Sequence, residues 1–143
     1  MLPTNFRGHM KLIGKYGEYR VLACLLERDI EAYQAINITQ PDFDITAILR
    51  EDKVVRIQVK STELNNKATN NAINRIDKLY DFLVVVIFQG SGDARFFVMS
   101  KEEALAIKGT SKQLGVTQQN NKKHQVKDAL LPHENQWDKI INA

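Results

Sequence analysis

Val54-Val55-Arg56-Ile57-Gln58-Val59-Lys60 is the stretch on which the fold turns. Its residues alternate. Val55, Ile57 and Val59 fall on one face of a strand, and Arg56, Gln58 and Lys60 on the other. A strand that is polar at three successive positions on one side either meets solvent there or lines a site. The polar turn Arg50-Glu51-Asp52 precedes it, and before that Phe43 to Leu49 alternates as a second strand. The two therefore read as a hairpin. A three-residue loop places Asp44 opposite Gln58, on the same face. A two-residue loop would place it opposite Val59, on the wrong face.

Further upstream, Gly14 to Arg28 reads as a helix whose Leu22, Leu25, Leu26 and Asp29 follow the i, i+3, i+4, i+7 spacing. Ala32 to Ile38 reads as a short strand, broken by Gln40-Pro41-Asp42. Downstream, the Asn-rich segment Asn65 to Asn74 reads as a loop or a poorly packed helix. Phe82 to Phe88 is a continuous apolar run, as expected of a strand covered on both faces. Gly90-Ser91-Gly92-Asp93 turns the chain into a strand at Arg95 to Met99. Ser100 and Glu103 then have the spacing of a capping box, opening a helix that stops near Gly109. A polar, basic tract follows, and a last short helix holds Trp137, Ile140 and Ile141. The expectation is one mixed α/β domain over residues 1–143, its central sheet antiparallel at the start and flanked by helices. Residues 1–9 are left out of this reading, because Gly8-His9-Met10 resembles a cloning scar.

Composition excludes several classes. The chain has 143 residues, 43% of them hydrophobic, which suits one globular domain. Its single cysteine, Cys24, rules out a disulfide framework or a cysteine-based zinc site within one chain. No apolar stretch approaches the roughly 18 residues of a membrane helix, and the N-terminus lacks the apolar core of a secretion signal. A cytoplasmic protein without membrane contact is the expectation. The net charge is +3, and its distribution is uneven. Lys53 to Lys78 holds six Lys/Arg against two acids, and Lys108 to Lys127 holds five Lys and no acid. Such surface suits a polyanion, although an ordinary solvated surface can look the same.

Glu18 lies four residues before Leu22 and so continues the apolar stripe of the first helix. It either serves the helix dipole from the first turn or reaches over the sheet toward Asp44. Glu18, Asp44, Gln58 and Lys60 then form a set of hard oxygen donors suited to Mg²⁺, beside an ammonium able to stabilise phosphoryl charge or position water.

Asp44 followed by Gln58-Val59-Lys60, with the helical Gly17-Glu18 before it, resembles the PD-(D/E)XK nuclease superfamily. The resemblance covers roughly Gly14 to Phe88. It implies a restriction-endonuclease-like core and Mg²⁺ as cofactor, with Mn²⁺ substituting. It also implies roles: metal-binding aspartate for Asp44, second ligand for Gln58, catalytic lysine for Lys60 and helix glutamate for Glu18. The backbone carbonyl near Val59 would complete the metal shell. Gln58 departs from the family, where most members carry Glu or Asp. Q-x-K variants resemble some Holliday-junction resolvase-like and homing-endonuclease branches. Glutamine keeps an acceptor but loses a charge, which lowers metal affinity unless Glu18 compensates.

Ser61, Lys67, Arg75, Lys122 and Lys123 are candidate contacts to DNA phosphate, and His124 reads as an exposed histidine beside them. The leading reading is a metal-dependent endonuclease, site-specific (homing-like) or structure-specific, acting on double-stranded or branched DNA. Cutting both strands would call for a homodimer or homotetramer. The alternatives are a DNA-binding module that kept the fold and lost the chemistry, and a protein-interaction domain without nucleic acid.

Overall fold

In the computed structural model, residues 12–35, 42–64, 72–73, 76, 78–90, 92–121 and 123–143 are described. The polar turn is the seed of the sheet. Arg50–Asp52 form a single 3₁₀ turn in which Glu51 and Asp52 take positive φ (59° and 57°), and the Leu49 N–H closes it onto Lys53 O at 2.8 Å. Three residues in the turn fix the register. Strand β2 (Ile45–Ile48) pairs antiparallel with β3 (Val54–Glu63), with Ile48 opposite Val54 and Ile45 opposite Ile57.

β1 (Glu31–Gln34) pairs antiparallel on the far side of β2. The expected strand at Ala32–Ile38 is thus shorter and starts one residue earlier, while residues 36–41 lie outside the described set. On its other side β3 pairs in parallel with β5 (Phe82–Phe88), which pairs antiparallel with β6 (Ala94–Ser100). The sheet order is β1-β2-β3-β5-β6. Every residue of β5 is buried, as its apolar run requires of a strand covered on both faces.

Helix α1 (Ile13–Leu26) covers one face. Its buried positions are Gly17, Val21 and Leu25, so that of the expected stripe Leu25 alone is buried. Leu22 is half-buried, Leu26 is 50% exposed, and Asp29 lies past the helix end at φ 60°. The reason lies at Gly17. A Cβ there would stand 1.8 Å from Ser61 Oγ and 3.0 Å from Ser61 Cβ. The bare glycine lets the helix backbone lie directly on β3, and that contact sets which face turns inward. Val21 and Leu25 then pack with Ile45, Ile57, Val59, Val84 and Val86, joined by Trp137 and by Ile140 of the last helix, α3 (Asp138–Ile141).

The opposite face carries Leu83, Val85, Ile87, Phe97 and Met99. A second layer covers it. That layer holds α2 (Lys101–Lys108), which buries Ala104, and β7 (Leu114–Gly115), which buries Leu114 and pairs with the short β4 (Ala72–Ile73). The capping box is present: Ser100 Oγ accepts from Glu103 N, and Glu103 returns its carboxylate to Ser100 N. The polar, basic tract forms a hairpin, β8 (Thr117–Asn120) with β9 (Lys123–Val126), turning at Asn121 with φ 53°. No helix among the described residues is long and apolar enough to cross a membrane.

Candidate functional site

The site forms where β2 leaves β3. β2 accompanies β3 only as far as Ile57, while β3 runs on to Glu63 paired with β5 alone. At this parting the Asp44 N–H donates to Ile57 O at 2.9 Å, although Ile57 is already paired with Ile45. The one-residue offset, like that of a bulge, re-aims the Asp44 side chain. Its Oδ2 accepts from Val59 N (2.8 Å) and from Gln58 Nε2 (3.0 Å). The expected meeting of Asp44 and Gln58 is therefore present, made by side chains at a slipped register.

Gln58 is only 5% exposed. Its amide group faces Asp44 with nitrogen, because the reverse orientation would set an amide oxygen against a carboxylate oxygen. Nε2 also lies 3.5 Å from Val59 O, the carbonyl expected in the metal shell. Oε1 is buried and has no hydrogen-bond partner among the described residues. A buried amide oxygen left in this way is costly, and it is an acceptor available to a cation.

Glu18 projects from α1 toward the same place. Its side chain is 20% exposed and lies 3.6 Å from Lys15 Nζ. Burial raises the Glu18 carboxyl above its ordinary value, and the nearby Asp44 charge raises it further, against an opposing pull from Lys15. Burial likewise raises Asp44, opposed by the Val59 N–H bond and by the charges of Lys60, Lys15 and Lys78. Two carboxyl groups whose ionisation is disfavoured, one of them hydrogen-bonded to an amide with an unspent oxygen, suit a hard divalent cation. The donor set is thin all the same: among the described residues, no group of three or more His, Cys, Asp and Glu is placed to hold a metal.

Lys60 alternates with Gln58 on β3, and its charge reaches Asp44. Two lysines join it that the sequence reading missed. Lys15 was legible as the i−3 partner of Glu18 on a helix. Lys78 comes from the approach to β5, where no local pattern marks it.

The expected phosphate contacts fare unevenly. Lys67, Arg75 and Lys122 lie outside the described residues. Lys123 opens β9 and is exposed. Ser61 is a correction: its Oγ is buried under Gly17 without a hydrogen-bond partner among the described residues, so it packs the helix and does not face a phosphate. His124 is another, being half-buried with both ring nitrogens covered.

No family model matches the sequence, and no curated protein does either. Among solved structures the chain is similar to a bacterial homing endonuclease, I-Ssp6803I. The match has a TM-score of 0.64 at 15% identity and covers 94% of this chain and 95% of that one. At that identity the likeness shows the fold: a single α/β domain with a five-stranded mixed sheet.

Proposed function

We propose that this chain is a metal-dependent DNA endonuclease of the PD-(D/E)XK type, with Asp44, Glu18, Gln58 and Lys60 as its working residues. The buried Oε1 of Gln58, without a partner among the described residues, on an amide bonded to Asp44, with Asp44 and Glu18 both of raised pKa, carries the reading. The likeness in fold to a homing endonuclease supports DNA as the substrate.

Asp44, Glu18, Gln58 Oε1 and the Val59 carbonyl would hold Mg²⁺, or Mn²⁺ in its place. Bound there, the ion would supply Lewis acidity toward a phosphodiester oxygen and a lowered pKa for water. The chain's own groups do the rest. Lys60 orients the attacking water or offsets charge growing on the phosphoryl oxygens. Lys15 and Lys78 add positive potential that draws the DNA backbone in. Gln58 also holds Asp44 through its Nε2 bond, so a single amide both orients one ligand and offers another. Duplex or junction cutting would use two copies related by two-fold symmetry, as a homodimer or homotetramer.

A second reading is a DNA-binding module without catalysis, favoured by the two-carboxylate donor set. Cleavage of supercoiled and branched DNA with Mg²⁺, Mn²⁺ or EDTA separates the two. Metal-dependent cutting by wild type, lost in Lys60→Ala, is the result expected. Metal-independent binding with no cutting in either cation would favour the module.

A further inference from the structure

A cleft of about 310 Å³ opens between the C-terminal end of α2 and the strands that follow it. Lys108, Lys112 and Lys127 line it, together with Ser111 and Gln113, and no acidic residue among the described ones does. The three lysines come from separate segments: the last turn of α2, the loop after it, and the end of the β8–β9 hairpin. The last is tied down, since the Lys127 N–H donates to Val116 O at 2.9 Å. Its ammonium comes close to the main chain at Gly115, where a Cβ would stand 3.5 Å away.

Gathering like charges costs free energy. Lys108 gains something at the carbonyl end of α2. Lys112 and Lys127 have no such compensation, and none of the three forms an ion pair with a carboxylate among the described residues. A bound polyanion would supply the missing counter-charge. Position matters as well. Gln58 and Lys60 pair with Leu83 and Val85, which lie on the sheet face that α2, β7 and the base of the hairpin cover. The cleft and the polar face of β3 are therefore on the same side of the sheet. We propose that this cleft holds a backbone phosphate of the DNA substrate at a position distinct from the scissile one, so that it sets how the duplex lies across the protein. The proposal rests on the nuclease reading for its ligand.

The test is the Lys108→Gln/Lys112→Gln/Lys127→Gln variant, binding a labelled duplex in EDTA over a range of salt. Holding one phosphate is worth about 0.9 in the slope of log K against log salt, and about five- to tenfold in affinity near 0.1 M. The variant is expected to lose that much of both. With Mg²⁺ it should cut with a raised KM and an unchanged kcat. A variant whose slope, affinity and KM equal those of wild type overturns the cleft proposal and leaves the nuclease reading intact. Wild type with no duplex affinity at low salt overturns both, a failure seen in the parent and so assigned to the nuclease reading.

Discussion

Gly17→Ala, compared with Gly14→Ala, isolates the contact that sets α1 on the sheet. Both glycines lie in the same helix, and both gain up to about 1 kcal/mol of helix propensity on replacement. They differ in surroundings. A Cβ at Gly14 meets nothing within 4 Å, whereas at Gly17 it would stand 1.8 Å from Ser61 Oγ and 3.0 Å from Ser61 Cβ. The Ser61 hydroxyl can swing away, but its Cβ cannot, and carbon atoms pack at about 3.5–4.0 Å. Helix and strand must separate by several tenths of an ångström, at a cost of about 1–3 kcal/mol for overpacking. Gly17→Ala should therefore fall below Gly14→Ala by about that amount. At about 4 °C per kcal/mol for a domain near this size, the two melting temperatures should differ by about 4–12 °C. Circular dichroism melts without added metal measure this. Adding Ser61→Ala to Gly17→Ala should recover part of the loss, since it removes the nearer atom. Equal melting temperatures for the two single variants would refute the claim that Gly17 sets the helix on β3.

Glu18→Gln should raise the metal-free melting temperature at pH 8, with the gain vanishing near pH 4. A carboxyl whose pKa is raised on folding costs stability above its folded pKa, and the cost fades as pH falls; a variant less stable than wild type at pH 8 would contradict this. The Arg95–Glu134 pair has the opposite sign. Both hydrogen bonds are 2.8 Å, and Arg95 lowers the Glu134 pKa. Its stabilisation is present above the ordinary carboxylate range and is lost as pH falls through the lowered value. Glu134→Gln should therefore cost about 1 kcal/mol at pH 7 and nothing at the acid end, read by urea titration at each pH.

The sheet was largely legible and the helix face was not, for physical reasons. Arg50-Glu51-Asp52 sits between two alternating segments, and a three-residue turn leaves one register that buries Ile45, Ala47, Val55 and Ile57 together. That register brought Asp44 to Gln58. The slip that turns Asp44 toward Val59 N depends on where β2 parts from β3, which no local pattern announces. On α1 the apolar spacing pointed to the buried Leu25 but also to Leu22 and Leu26, because the contact that decides the face is made by Gly17, which has no side chain to mark it. The β8–β9 hairpin escaped for a related reason: Gln118, Gln119 and Gln125 carry no apolar alternation, and Asn120-Asn121 was the one turn signal. Lys78 joins the site across the fold, beyond any sequence spacing.

Asp44, Glu18 and Gln58 are proposed to make one divalent-cation site. Calorimetric titration of Mn²⁺ into wild type, Asp44→Asn and Gln58→Glu tests it without reference to cleavage. A single site is expected in wild type, its loss in Asp44→Asn, and tighter binding in Gln58→Glu, where a charge returns to the ligand set. Binding that survives Asp44→Asn unchanged, or no binding in wild type and Gln58→Glu alike, would contradict it.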